Sequence, residues 1–155
     1  MGKASMAAID QPHEGHGGQP AGARPWVLVI EDDESIRRLL ALLLEDAGYD
    51  VRAAPDGAAA LALLEHDATT PPGVILVDAR MPVMDGARFL QVYRQRLGRG
   101  APVIALTAGT LASAGHLGSE ADAVLRKPFD LDDVLQLVAR YARWQPSIPT
   151  ALGQA

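Results

Sequence analysis

Three short apolar runs constrain the fold of this chain more than any other feature. The runs are Val27–Ile30, Val74–Asp78 and Val103–Thr107. Strands that are covered on both faces have such continuous apolar sequences, as in a parallel sheet. Tyr49–Ala54 and Ala123–Arg126 are weaker strand candidates. The sequence therefore predicts a parallel sheet of five strands.

Segments with helical periodicity separate these runs. They are Ile36–Leu44, Ala58–His66, Ala87–Leu97 and Asp130–Tyr141, the last with Asp130 as its N-cap. Thr110–Glu120 contains Gly115 and Gly118. Any helix there should be short or frayed, because each interior glycine costs about 1 kcal/mol relative to alanine. The alternation predicts an α/β sandwich with right-handed crossovers.

The composition excludes several classes of protein. A length of 155 residues suits one domain, and the net charge of −5 does not favour nucleic acid. The chain has no cysteine, which excludes disulfides and thiolate chemistry. Apolar stretches such as Leu39–Leu44 are far shorter than the roughly 20 residues of a membrane helix. The N-terminus lacks an apolar signal core, so we expect a soluble, cytoplasmic protein.

The two ends of the chain differ in composition from its middle. Residues 1–24 are rich in Gly, Ala, Gln, Pro and His and have almost no periodicity. We predict that residues 1–24 and 146–155 are disordered tails around one domain over residues 25–145.

Polar side chains follow four of the predicted strands. They are Glu31 and Asp32 after the first, Asp78 at the end of the third, Thr107 and Ala108 at the fourth, and Lys127 after the fifth. Ligands of open α/β sheets bind at the carboxyl ends of the strands. Carboxylate oxygens favour Mg²⁺ or Mn²⁺, and a hydroxyl with an ammonium suits a phosphoryl group.

Four motifs in this order resemble a known family. They are Glu31-Asp32, Asp78–Gly86, Ala105–Ala108 and Lys127-Pro128-Phe129. Together they resemble the receiver domain of two-component response regulators, of the stand-alone, chemotaxis-regulator-like kind. The resemblance covers about residues 25–143. It implies a flavodoxin-like, doubly wound (βα)5 fold with the strand order 2-1-3-4-5.

The resemblance also implies roles for individual residues. Asp78 would accept a phosphoryl group from a sensor histidine kinase or a histidine phosphotransferase. Mg²⁺, with Mn²⁺ as a possible substitute, would be bound by Asp32 and Asp78 directly, by Glu31 through water and by the carbonyl of Arg80. The phosphoryl group would be surrounded by Ala79, Arg80, Thr107, Ala108 and Lys127. The Lys127–Pro128 bond would be cis.

Simple electrostatics supports a metal at this site. Without a cation, the carboxylates of Asp32 and Asp78 would repel each other. Asp33 and Glu34 are better interpreted as partners of a helix dipole, and Asp85-Gly86 as turn chemistry.

The sequence departs from the family at three places. Val124 stands three residues before Lys127, where the family commonly has an aromatic residue that reports phosphorylation. The interval from Thr107 to Lys127 is slightly short and contains glycines. Arg80 and Gly109 flank the expected phosphoryl position. We hypothesise that Arg80 shields the phosphoryl group and changes its lifetime.

The predicted function is that of a signalling switch or phosphorelay intermediate that acts through protein contacts. It would not be an enzyme apart from slow self-dephosphorylation, and it would bind neither DNA nor membrane. We expect a monomer or a phosphorylation-dependent dimer with an unknown downstream protein partner. The alternatives are a receiver fragment of a hybrid histidine kinase or larger regulator, an aspartate-nucleophile phosphatase, and a flavodoxin-like electron carrier.

Overall fold

Five strands and five helices alternate along the described part of the chain. The computed structural model describes residues 26–66, 70–98, 100–110 and 114–142, so the predicted tails lie outside the described residues. In chain order the elements are β1 (Trp26–Ile30), α1 (Glu34–Asp46), β2 (Asp50–Ala54), α2 (Gly57–His66), β3 (Val74–Asp78), α3 (Gly86–Leu97), β4 (Val103–Thr107), α4 (Gly115–Glu120), β5 (Ala123–Arg126) and α5 (Leu131–Tyr141).

The strands form one parallel sheet in the order β2-β1-β3-β4-β5. Every residue of the three central strands β1, β3 and β4 is buried, which explains their uninterrupted apolar sequences. The edge strands β2 and β5 are partly exposed. The predicted fold class and strand order are therefore confirmed.

Helices cover both faces of the sheet and create two cores. In β1, Leu28 and Ile30 contribute to one core, whereas Val27 and Val29 contribute to the other. This division follows from the alternation of side chains along a strand. The first core includes α2, α3 and α4 residues, and the second includes α1 and α5 residues.

The fourth helix is short, as its glycines predict. α4 has six residues, and Gly115 adopts a left-handed φ of 58°. Its buried residue Leu117 packs in the first core. No helix in the described ranges combines the length and apolar character that crossing a bilayer requires.

Two aspartates determine where helices begin near the carboxyl edge of the sheet. The carboxylates of Asp33 and Asp85 accept hydrogen bonds from the amides of Ile36 and Arg88, which caps α1 and α3. Asp130 occupies the N-cap position of α5, as predicted, but its side chain makes no capping hydrogen bond.

A close backbone approach joins the end of β3 to the start of α3. A Cβ atom at Gly86 would lie 2.4 Å from the carbonyl oxygen of Asp78. Only glycine fits at this distance, so Gly86 lets the connection return tightly to β3. This tight connection carries Ala79 and Arg80 beside Asp78.

Candidate functional site

The buried polar residues of the described ranges lie at the carboxyl ends of β1, β3 and β4. These are Glu31, Asp78 and Thr107, whose exposed fractions are 0%, 6% and 3%. Burial of polar groups is costly unless they are paired. Their concentration at one edge of the sheet therefore indicates a functional site.

Lys127 lies between two of these carboxylates. Its Nζ atom donates hydrogen bonds to Oε2 of Glu31 at 2.7 Å and to Oδ2 of Asp78 at 3.0 Å. The other oxygens accept from backbone amides: Oε1 of Glu31 from Asp33, and Oδ1 of Asp78 from Arg80, both at 3.2 Å. The single ammonium of Lys127 thus pairs with two carboxylates, so the three side chains together carry an excess of negative charge.

This excess charge, together with burial, perturbs the pKa of Glu31. Burial is the main cause that raises the pKa of Glu31 to about 7, and the charge of Asp78 adds to the shift, while the hydrogen bond from Lys127 opposes it. Burial works to lower the pKa of Lys127, but its bonds to Glu31 and Asp78 prevail and raise it. The sequence did not single out Glu31 for such a shift, because it did not reveal which carboxylate is fully buried.

The acidic residues form a candidate metal centre. One carboxylate oxygen from each of Glu31, Asp32 and Asp78 lies within 4.8 Å of the other two. This all-oxygen donor set fits Mg²⁺ or Mn²⁺. Asp32 is exposed, which leaves its carboxylate accessible to an ion. Both oxygens of Glu31 already accept hydrogen bonds, which favours contact through water.

A cavity of about 410 Å³ opens beside Asp78. Its lining includes Asp78, Gly109 and all five residues predicted to surround the phosphoryl group, which are Ala79, Arg80, Thr107, Ala108 and Lys127. The Lys127–Pro128 bond is cis, as the resemblance implied. The structure therefore brings the predicted residues into one small space.

Two arginines near the site have contacts that the sequence did not predict. The side chain of Arg37 donates to the carbonyl of Glu31 at 2.8 Å. Nε of Arg126 donates to the carbonyl of Gly109 at 3.3 Å. No motif marks either residue, since both contacts depend on where the chain places a backbone carbonyl.

Comparisons with known proteins point to one family. The family model of the response regulator receiver domain matches residues 27–139. The chain is 42% identical over 118 residues to the sensor histidine kinase RcsC of Salmonella typhi, covering 75% of this chain and 12% of the relative. It is 36% identical over 130 residues to the DNA-binding dual master transcriptional regulator RpaA of Synechocystis, covering 82% of this chain and 53% of the relative. The chain thus spans only part of the length of both relatives.

Solved structures show the same fold. The chemotaxis protein CheY4 of Vibrio cholerae superposes with a TM-score of 0.68 at 34% identity, covering 77% of this chain and 99% of that chain. The response regulator protein TrrA of Thermotoga maritima, in complex with Mg(2+)-BeF, gives a TM-score of 0.66 at 26% identity, covering 76% of this chain and 98% of that chain.

Proposed function

Because the chain belongs to the response regulator receiver domain family, we propose that it is a Mg²⁺-dependent phosphoryl acceptor whose reactive residue is Asp78. One observation carries the proposal. Asp78 is a buried carboxylate whose Oδ2 lies 3.0 Å from the ammonium of Lys127, beside an acidic cluster and an open cavity. This arrangement suits a nucleophile that needs charge compensation more than it needs a base.

The proposed reaction transfers a phosphoryl group from a phosphohistidine of a sensor kinase or a phosphotransferase. An oxygen of Asp78 attacks phosphorus as the carboxylate, so no proton must first be removed. The new oxygen–phosphorus bond forms as the nitrogen–phosphorus bond breaks, and the electron pair remains on the imidazole nitrogen. Such transfers depend mainly on positioning and charge stabilisation.

Three neighbouring residues would receive the phosphoryl group. The ammonium of Lys127 already donates to Asp78 and can donate to a phosphoryl oxygen instead. The hydroxyl of Thr107 would donate to another oxygen. Ala108, which lines the cavity, is small enough to leave room for the group.

The acidic cluster would hold the metal. Asp32 and Asp78 would bind Mg²⁺ directly, Glu31 would act through water, and the carbonyl of Arg80 would supply a further oxygen. When bound, Mg²⁺ would offset the negative charge of the carboxylates and of the phosphoryl oxygens. The oxygen-only donor set and the Mg(2+)-BeF complex of the related TrrA support this assignment.

We propose that the protein acts in the cytoplasm as a switch or a relay intermediate through protein contacts. A second candidate is a receiver module within a hybrid histidine kinase or larger regulator, which the 42% identity to a small part of RcsC favours. The phosphatase and flavodoxin alternatives lose their basis with membership of the receiver family. Slow self-dephosphorylation is the one catalytic activity we propose.

Intact mass measurement tests the reaction. Incubation with acetyl phosphate and Mg²⁺ should add one phosphoryl group to the protein, and chelation of the metal should prevent the addition. Asp78→Asn should gain nothing, because an amide lacks the anionic oxygen. Asp85→Asn is the matched control, since its amide oxygen can still cap α3, and it should react normally. An adduct that persists in Asp78→Asn would refute the assignment.

Arg80 should affect the lifetime of the phosphorylated form. Its side chain is exposed, and the residue lines the cavity beside Asp78. We expect Arg80→Ala to shorten the lifetime of the phosphorylated form by about threefold, because a contact between exposed charges contributes only a small free energy. The decay can be followed by intact mass after removal of the donor. Arg88→Ala removes an exposed arginine on α3 and should leave the decay unchanged; equal decay in both variants would contradict the shielding role.

A further inference from the structure

A chain of contacts leads from the cavity to the outer surface of β5. Gly109, in the loop after β4, is held at both of its backbone polar groups. Its amide donates to Oγ1 of Thr107 at 3.2 Å, and its carbonyl accepts from Nε of Arg126 at 3.3 Å. Thr107 is buried, Gly109 is half-buried and Arg126 is exposed. The contacts therefore connect a buried hydroxyl with an exposed guanidinium.

The position of Arg126 on β5 makes this connection possible. Side chains alternate along a strand, so Val124 and Arg126 share one face. Leu125 packs in the core on the opposite face, whereas Val124 packs against the first core. Arg126 is paired in register with Thr107 of β4. An arginine at this place can reach the loop after β4, whereas the valine at position 124 has no polar atom to offer.

We propose that Arg126 is a positioning residue that holds Gly109, and through it the hydroxyl of Thr107, in the geometry that receives the phosphoryl group. This inference rests on the proposed function. Because Oγ1 of Thr107 accepts from Gly109, the hydroxyl proton stays available for a phosphoryl oxygen.

The same contacts join the cavity to the exposed face of β5. Arg126 thus supplies a polar link on the face of β5 where this chain carries Val124 in place of an aromatic residue.

Three variants test the role of Arg126. Arg126→Met keeps most of the apolar stem and removes the donor, Arg126→Lys restores a donor, and Arg88→Met is a control for loss of one exposed positive charge. The measurements are the rate of phosphorylation by acetyl phosphate with Mg²⁺, the nuclear magnetic resonance shifts of the Gly109 amide, and the thermal midpoint.

The expected pattern separates positioning from general stability. Arg126→Met should be phosphorylated about threefold more slowly. This change is near the lower end of the range expected for the loss of one hydrogen bond. Its Gly109 amide resonance should move, while its thermal midpoint should stay close to that of the control. Arg126→Lys should recover most of the rate, and Arg88→Met should match the wild type in its rate and in its Gly109 resonance.

Two results would overturn the inference, and they differ. If the wild type is phosphorylated and Arg126→Met reacts like Arg88→Met with an unmoved Gly109 resonance, the role of Arg126 is wrong while the proposed function stands. If the wild type itself gains no phosphoryl group, the proposed function fails and the inference fails with it.

Discussion

We expect Glu31 to make the stability of the metal-free protein depend on pH. Its pKa is raised from 4.5 to about 7, so the folded state binds this proton more tightly than the unfolded state does. The resulting stabilisation is complete below about pH 4.5 and is lost as the pH rises toward 7. A shift of this size corresponds to at most about 3 kcal/mol.

The substitution Glu31→Gln tests this dependence at the residue scale. The neutral amide cannot ionise, so the free energy of unfolding of the variant, relative to wild type, should increase by up to about 3 kcal/mol between pH 4.5 and 8. Urea denaturation with a chelator present measures this difference. Glu45→Gln, which removes an exposed carboxylate from α1, should show no such trend. A constant difference for Glu31→Gln across the pH range would contradict the assignment.

At the scale of elements, Asp85 does more than its sequence context suggested. Asp85-Gly86 was interpreted as turn chemistry, and the structure shows that Asp85 caps α3 while Gly86 contacts the backbone of Asp78. The start of α3 therefore supports the connection that carries Ala79 and Arg80 beside Asp78.

The hydrogen bond between the amide of Arg88 and the carboxylate of Asp85 predicts how substitutions at helix caps change the free energy of unfolding. Asp85→Ala leaves the amide of Arg88 without its acceptor and should lower the free energy of unfolding by about 1 kcal/mol. Asp85→Asn keeps an acceptor and should change it little. Asp130→Ala should cost less than Asp85→Ala, because the side chain of Asp130 makes no capping hydrogen bond. Chemical denaturation compares the three variants, and equal losses for both alanine substitutions would disprove this account.

At the scale of the whole molecule, metal binding and folding should be linked. The acidic cluster joins the ends of β1 and β3, and these carboxylates do not form the cluster in an unfolded chain. A ligand that binds only the folded state stabilises it, by about 1.4 kcal/mol at ten times its dissociation constant.

The thermal midpoint should therefore rise with millimolar Mg²⁺ in the wild type. Asp32→Asn should lose most of this increase, because it removes a charged ligand. Asp33→Asn removes the neighbouring charge but can still cap α1, so it should keep the increase. Equal increases in the two variants would show that Mg²⁺ does not use Asp32.

The sequence by itself determined the class of the fold and predicted which polar residues would meet at the carboxyl edge of the sheet. Continuous apolar runs indicated buried parallel strands, and the family motifs supplied their order. Parallel strands of one sheet end at a common edge, so residues such as Asp78 and Lys127 could be assigned to one site from their places after strands. The glycines of Thr110–Glu120 were sufficient to predict a short helix.

Only the tertiary structure decided the energetic details. Lys127 is 96 residues from Glu31 and 49 residues from Asp78, and no local pattern predicts that one ammonium bonds to both. The burial that raises the pKa of Glu31, and the contact between Arg126 and Gly109, likewise depend on how separate strands pack. Local sequence determines which element a residue joins, whereas burial and pairing are set by residues that are distant in the chain.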